Sequence, residues 1–237
     1  MPDFRNRSAE LEIMDDLDYA GPLMDQTLAE LEIINTWLGG NAVTMSALKS
    51  LVAGRPQHNE LCIADLGCGR ADLLKIIERW AKNTGRKTRL IGIDANEYII
   101  NAAKKNLSAD SGIELQCIDI FSEAFQQQKF DVVIGTLFYH HFSDEQLITF
   151  FGKLKDQARL GFVINDIHRH PLAFYSIRFL TQFFSRSSMV KYDAPLSVLR
   201  AFTKKELTGI LRLAGIRNYK IKWKWAFRWQ VLVYTQS

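Results

Sequence analysis

The feature that most constrains the fold is an alternation of short apolar runs with amphipathic segments, which begins near residue 60. The apolar runs cover residues 61–66, 89–94, 113–119, 130–136 and 160–166. Three of the segments between them, ADLLKIIERWAKN, EYIINAAKKN and SDEQLITFFGKLKDQA, place apolar side chains at helical spacing. Strands that alternate with helices predict a parallel sheet with helices on both faces, and nearly continuous apolar strands fit a sheet buried on both sides.

The first sixty residues are helical in pattern. Ser8 is a candidate N-cap for a first helix, although position 11 holds leucine, so no capping box supports it. Two further helical stretches stop at the Gly39-Gly40 pair and at Gly54. We therefore expect a helical N-terminal extension, residues 1–58, in front of a main domain over residues 59–237.

The last part of the chain predicts one more helix and a hairpin. Thr203 and Glu206 have the spacing of a capping box, and Gly215 marks the end of that helix. The final stretch, YKIKWKWAFRWQVLVYT, alternates at period two around a short central turn. This pattern is typical of an antiparallel β-hairpin.

Composition excludes several classes of protein. The chain has 237 residues, of which 47% are hydrophobic and 24% charged, and a net charge of +4 that is too small to indicate nucleic-acid binding by itself. Its three cysteines, an odd count with no paired ligand spacing, predict reduced thiols. No apolar stretch has the length of a signal peptide core or of a membrane span. We expect a cytoplasmic protein.

A glycine pair follows the first apolar run, in the stretch IADLGCGRADLL at residues 63–74. Gly67 and Gly69 allow a tight turn and the close approach of a ligand to the backbone. A dinucleotide-binding loop would carry a third glycine at position 72, where this chain has Asp72. That carboxylate would repel a pyrophosphate, whereas a ligand that bears an ammonium group can use nearby acids.

An acidic residue stands at the end of each of the first three predicted strands. These residues are Asp65, Asp94 and Asp119, and Ile120 follows the last of them. Open α/β sheets bind ligands at the carboxyl edge, where Asp94 can accept hydrogen bonds from ribose hydroxyls and Asp119 can meet an adenine amino group. Any one of these acids could instead be a buried structural residue. That alternative is weaker for all three together, because each stands at the same edge of the predicted sheet.

These motifs, together with FDVVIGTLFYHHFSDEQL, resemble the class I S-adenosylmethionine-dependent methyltransferases over residues 60–165. The resemblance implies that S-adenosylmethionine is the cofactor and S-adenosylhomocysteine the product. The residues implied to bind it are Asp65, Gly67 and Gly69 for the methionyl end, Asp94 with Ala95 near the ribose, Asp119 with Ile120 at the adenine, and Thr136 with Leu137 on the sulfonium side. The sequence departs from the family at Ala71, where a third glycine is frequent.

The same resemblance implies the architecture. We expect a doubly wound, seven-stranded Rossmann-like sheet of order 3-2-1-4-5-7-6, with the last strand antiparallel. Residues 167–200 would then be a helical cap inserted after strand 5, which together with the N-terminal extension roofs the pocket.

Four histidines follow the predicted fourth and fifth strands. One of them could act as the general base that removes a proton from the molecule to be methylated. The candidate catalytic residues are His141, His168, Asp166 and Arg169. The alternative for His141 is that it braces its loop. The spacing Asp166-x-His168-x-His170 also suits metal ligands, but a sulfonium already activates the methyl group, so we predict no metal.

An aromatic stretch, PLAFYSIRFLTQFFSRSSMVKYD, follows the fifth strand. Three interpretations remain open for it: a helix packed on the core, a lid over an apolar acceptor, or a surface that contacts a membrane.

The sequence thus predicts a methyltransferase that acts on a small apolar or aromatic acceptor, at oxygen. The alternatives are carbon or nitrogen methylation of a quinol-like or polyketide-like metabolite, and a non-catalytic protein that binds S-adenosylmethionine. A nicotinamide-dependent enzyme is disfavoured by Asp65 and Asp72. Nucleic-acid modification is disfavoured because the basic residues are scattered. We expect a monomer or homodimer with a small-molecule partner.

Overall fold

The strands of the molecule form one sheet, and the computed structural model describes residues 2–235. The strands are β1 (Leu61–Leu66), β2 (Thr88–Asp94), β3 (Ile113–Cys117), β4 (Phe130–Thr136), β5 (Ala158–Ile167), β6 (Tyr219–Lys224) and β7 (Arg228–Tyr234). The helices are α1 (Pro22–Trp37), α2 (Gly40–Leu51), α3 (Asp72–Thr84), α4 (Glu97–Asn106), α5 (Glu123–Gln126), α6 (Asp144–Gln157), α7 (Pro171–Phe184), α8 (Ser188–Arg200) and α9 (Lys204–Leu213). Two 3₁₀ turns cover Ile13–Asp15 and Tyr139–His141.

The sheet has the predicted order β3-β2-β1-β4-β5-β7-β6. The five strands from β1 to β5 pair in parallel, and β7 runs antiparallel to both β5 and β6. The expected doubly wound sheet with an antiparallel last strand is confirmed. Because the carboxyl ends of parallel strands meet at one edge, the loops after β1, β2, β4 and β5 gather there.

Two apolar cores cover the two faces of the sheet. Along β1 the side chains alternate, with Ile63 in one core and Ala64 in the other, as the pleat of a strand requires. Helix α6 fills the first core with Phe151, which stacks on Phe162 of β5 at 5.4 Å. Helices α2 and α3 fill the second core with fully buried Leu48 and Leu74. The central strands β1 and β4 are buried along most of their length because both faces of the sheet are covered there, whereas the edge strand β6 carries three lysines and exposed positions.

The predicted helix from Ser8 is wrong. Residues 2–20 (the N-terminal segment) are irregular apart from the 3₁₀ turn Ile13–Asp15. The amides of Ile13 and Met14 donate to the carboxylate of Asp193 on α8, at 2.8 and 3.1 Å, and the Ser8 amide donates to the Leu199 carbonyl. Tertiary acceptors thus replace the helical hydrogen bonds, and the capping box of the segment lies at the 3₁₀ turn, where the Glu12 amide donates to Asp15 Oδ2 at 2.9 Å.

The other helical predictions hold. Helices α1 and α2 lie where the Gly39-Gly40 pair and the Gly54 stop predict them, although α2 ends three residues early, at Leu51. Thr203 and Glu206 form the expected capping box of α9, and Gly215 follows that helix with φ at +75°. Within residues 2–235 no helix has the length and apolar character that crossing a bilayer requires.

Candidate active site

A cavity of about 850 Å³ lies at the carboxyl edge of the sheet. Its walls come from the ends of β1, β2 and β4, the N-terminal segment, α1, α7, α8 and the turn between β6 and β7. All the residues expected to bind the cofactor line it: Asp65, Gly67, Gly69, Asp94, Ala95, Asp119, Ile120 and Thr136. Their individual roles stay predictions.

The glycine loop after β1 owes its shape to left-handed backbone conformations. Gly67 has φ at +64°, and a Cβ atom there would lie 2.3 Å from the ring of Phe138. Gly69 has φ at +52° and open space around its Cα. Ala71, where the family often has glycine, also adopts a left-handed conformation, with φ at +62°. For alanine this costs about 1–2 kcal/mol.

Two buried carboxylates follow β1 and β2. Burial raises the pKa of Asp65 to about 8, and the negative charge of Asp94 adds to this. Burial raises the pKa of Asp94 to about 6, against the hydrogen bonds that it accepts from backbone amides, among them Asn96 at 3.1 Å. An ammonium group beside Asp65 and hydroxyl groups beside Asp94 would both favour the ionised acids. The pair therefore fits the amino-acid and ribose parts of S-adenosylmethionine.

Two carboxylate–histidine pairs stand beside the cavity, after β4. His140 Nδ1 lies 2.7 Å from Asp166 Oδ1, and His141 Nδ1 lies 2.6 Å from Asp15 Oδ1. Burial alone would raise the pKa of both acids, but the neighbouring imidazoles lower it below its ordinary value. A carboxylate on Nδ1 leaves Nε2 of each ring for a second partner.

Glu12 completes this polar end of the cavity. Its Oε1 has no hydrogen-bond partner within the described residues and lies 3.6 Å from His140 Nε2 and 3.7 Å from Arg200 Nη1. Its Oε2 accepts a hydrogen bond from Ser197 Oγ at 2.9 Å. Burial raises the pKa of Glu12 to about 7, against the charges of His141 and Arg200.

Glu12, His140 and His141 could also hold a metal ion. They offer ligand atoms within 4.8 Å of one another, the one such cluster in the part of the chain described. The guanidinium of Arg200 already brings positive charge to Glu12, and it also pairs with Asp15. The carboxylate of this cluster therefore already has a positively charged partner in Arg200.

Glu12, Asp15 and Arg200 were missed by the sequence reasoning. Asp15 lies 126 positions from His141, and Arg200 donates to the His141 carbonyl at 2.7 Å from the other direction along the chain. In the sequence, Glu12 and Asp15 have the spacing of residues on the polar face of a helix. Nothing in their local sequence signals such distant partners.

The remaining predicted catalytic residues do not line the cavity. Asp166 is fully buried and holds His140 together with the amide of Tyr139. The guanidinium of Arg169 is buried, where it donates to the Ala201 carbonyl and to Glu206 Oε1, both at 2.5 Å. Asp166 therefore contacts the Tyr139–His141 turn, and Arg169 contacts the start of α9, while the catalytic roles of both stay predictions.

His168 and His170 also turn to structural partners. His168 Nδ1 accepts a hydrogen bond from Trp223 Nε1 at 3.3 Å, and burial lowers the pKa of His168. His170 caps α7 by accepting from the Leu172 amide. The pairing of β5 with β7 continues to Ile167 and Arg228. Residues 168–170 follow this pairing directly and lie outside the cavity wall.

The rest of the cavity wall is apolar. Helix α1 contributes Leu28, Leu31 and Ile34, and α7 contributes Ile177 and Leu180. The cavity therefore joins an acidic end, a histidine-containing end and an apolar wall, the combination expected of a pocket for a polar cofactor and an apolar second ligand.

The family of the chain follows from its sequence. A family model described as "Methyltransferase domain" matches residues 63–184, from within β1 to the end of α7. The chain belongs to this methyltransferase-domain family, and the resemblance to class I S-adenosylmethionine-dependent methyltransferases is confirmed. A search of curated proteins gives no match.

Several solved structures share the fold. Human N-acetylserotonin methyltransferase, in complex with S-adenosylmethionine, has a TM-score of 0.63 and 19% identity, over 90% of this chain and 56% of the human chain. The plantazolicin methyltransferase BpumL, in complex with S-adenosylhomocysteine, has a TM-score of 0.62 and 17% identity, over 90% of this chain and 95% of the other. Magnesium protoporphyrin IX methyltransferase from Synechocystis PCC 6803 has a TM-score of 0.52 and 16% identity, over 82% of this chain and 78% of the other. This chain thus spans little more than half of the human enzyme.

Proposed function

We propose that the protein transfers a methyl group from S-adenosylmethionine to an oxygen atom of a small apolar or aromatic acceptor. The observation that carries this proposal is the single cavity in which the acids of three neighbouring strands, two carboxylate-paired histidines and an apolar wall meet. Carbon or nitrogen methylation of a quinol-like or polyketide-like metabolite is the alternative for the acceptor atom.

The cofactor end of the cavity is proposed to work through fixed negative charge. When bound, S-adenosylmethionine supplies a methyl group that its sulfonium activates. Asp65 would pair with the ammonium group, Asp94 would accept from the ribose hydroxyls, and Asp119 with Ile120 would hold the adenine. Gly67 and Gly69 let the backbone approach the ligand closely, because they present no side chain.

The acceptor end is proposed to remove a proton. Asp15 accepts from Nδ1 of His141, so that Nε2 is the basic nitrogen and can take the proton of an acceptor hydroxyl. Asp166 and Glu12 hold the ring of His140 beside it. Apolar side chains of α1 and α7 exclude water, and since methyl transfer is an in-line displacement, positioning supplies much of the rate.

The roof of the cavity is proposed to be the cap together with the N-terminal extension, residues 167–200 and 1–58. In support, α8 receives the amides of the N-terminal segment, and both α1 and α7 line the cavity. The remaining residues, from 59 onward, would form the cofactor-binding domain.

The structural neighbours support a small acceptor. They include enzymes of N-acetylserotonin, plantazolicin and magnesium protoporphyrin IX. These acceptors differ widely, so the likeness favours no single one of them for this chain.

The test is a methyl-transfer assay with labelled S-adenosylmethionine and a panel of phenols, quinols and acyl-lipids, with Asp94→Ala as the matched inactive control. We expect label in the organic phase with the wild type and at least tenfold less with the variant. Binding of S-adenosylhomocysteine without transfer to any acceptor would favour the non-catalytic alternative.

A further inference from the structure

Helix α7 carries apolar side chains on two opposite faces. Its inner face buries Ala173, Phe174 and Thr181. Its outer face consists of Leu172, Tyr175, Phe179 and Phe183, which recur at helical spacing and are 61%, 54%, 59% and 68% exposed. A helix that only covers a core has a polar outer face. The outer face of α7 is therefore built to meet a second apolar partner.

Within its own segment the outer face has charged side chains of one sign, while the Glu30 carboxylate of α1 accepts a hydrogen bond from the backbone amide of Arg186 at 3.0 Å. Residues 171–190 contain two arginines, Arg178 and Arg186, and no acidic residue. Both side chains are exposed, and neither forms an ion pair with any residue from 2 to 235. Arg178 borders a shallow depression of about 290 Å³ between Tyr175, Phe179 and Phe183. A partner must therefore offer negative charge beside apolar groups.

The outer face is continuous with the rim of the cavity. Leu180 lies one position after Phe179 and lines the cavity while 40% exposed. Trp225, in the turn between β6 and β7, lines it while 72% exposed. Exposed side chains that also line a cavity stand at its opening, so the opening has an apolar rim.

We propose that the outer face of α7 docks on the surface of a membrane that contains anionic lipids. A helix of 14 residues is about 21 Å long, too short to span a bilayer but suited to lie in its interface. The arginines match the headgroup charge, and the aromatic side chains match the acyl boundary. Two copies of the chain that met on this face by two-fold symmetry would bring like-charged arginines together.

Docking orients the rim of the cavity toward the lipid. The consequence that the acceptor enters from the membrane rests on the proposed function. The docking itself does not, because it requires only the outer face and the two arginines.

The experiment measures binding of the full chain to vesicles of equal parts phosphatidylcholine and phosphatidylglycerol, by co-sedimentation at low salt, beside vesicles of phosphatidylcholine alone. We expect binding to the anionic vesicles. Phe179→Ser with Phe183→Ser should weaken it by roughly a hundredfold, because two large apolar side chains no longer leave water. Arg178→Gln with Arg186→Gln should weaken it by roughly tenfold.

The matched control is Leu213→Ser, which removes a side chain on α9 that is 64% exposed, compared with Phe183→Ser alone. The control should bind like the wild type, and every variant should keep its melting temperature and its affinity for S-adenosylhomocysteine. The proposal would be overturned if the wild-type protein did not bind anionic vesicles. It would also be overturned if the double phenylalanine variant bound them as tightly as the wild type. Self-association without lipid that this double change abolishes would likewise overturn it.

Discussion

The two halves of the carboxyl edge differ in how far apart their interacting residues lie along the chain. On the side of β1 and β2, Asp94 accepts from the amide of Asn96, two residues away. On the side of β4, His141 pairs with Asp15 across 126 positions. The half proposed to hold the cofactor thus includes contacts between near neighbours in the chain, beside longer ones such as that from Asn96 Nδ2 to the Tyr19 carbonyl. The half proposed to hold the acceptor forms only where the N-terminal segment meets α8 and the Tyr139–His141 turn.

The largest expected effect lies in the distant half. His141→Asn should lower turnover by about a hundredfold or more, the usual contribution of a general base, and leave the affinity for S-adenosylhomocysteine unchanged. Rates with saturating acceptor and calorimetric affinities check this. His168→Gln is the matched control, since His168 lies outside the cavity wall. An equal loss of turnover in the two variants would contradict the assignment of the general base to His141.

The second prediction concerns stability. Glu206→Gln leaves the buried guanidinium of Arg169 without its carboxylate and should lower the free energy of unfolding by about 3 kcal/mol, since a buried ion pair loses one partner. Urea unfolding measures it. Glu145→Gln, on an exposed carboxylate, is the control. A loss of turnover without a loss of stability would show that Arg169 serves the acceptor after all.

The third prediction concerns pH. The folded pKa of Asp65 is raised to about 8, above the unfolded value near 4, so its ionisation destabilises the free protein as pH rises through this window. An ammonium ligand prefers the ionised acid. Binding of S-adenosylhomocysteine should therefore tighten by roughly tenfold between pH 6 and 8, with proton release visible in buffers of different ionisation enthalpy. Asp65→Asn should reduce this dependence to the smaller part that Asp94, with a pKa of about 6, contributes at the lower end of the window, and a dependence of unchanged size would assign it elsewhere.

The smallest effect is expected in the glycine loop. Ala71→Gly relieves a left-handed alanine and removes one buried methyl group, and the two terms nearly cancel. Affinity for S-adenosylhomocysteine should stay within about twofold. Gly67→Ala is the contrasting variant, because its Cβ would meet Phe138 at 2.3 Å. Similar affinities in both variants would mean that the loop does not contact the ligand.

The comparison also explains what the sequence could predict. The glycine loop and the acids at the strand ends follow from patterns that extend over ten or twenty residues, and Gly67, Asp94 and Asp119 all line the cavity. The strand order is implied by the family resemblance and not by such patterns. The residues after β5 carry the same kind of signal, yet Arg169 binds Glu206, and His168 binds Trp223. Which polar group finds which partner depends on tertiary packing. For the same reason Glu12 and Asp15 could not be assigned from their neighbours.

The most direct test of the central claim is a calorimetric titration of S-adenosylhomocysteine into the wild type and Asp94→Ala, with NADH run beside it. The account predicts saturable binding to the wild type, at least tenfold weaker binding to the variant, and no binding of NADH. Equal affinity in the two proteins, or binding of NADH in place of S-adenosylhomocysteine, would contradict it.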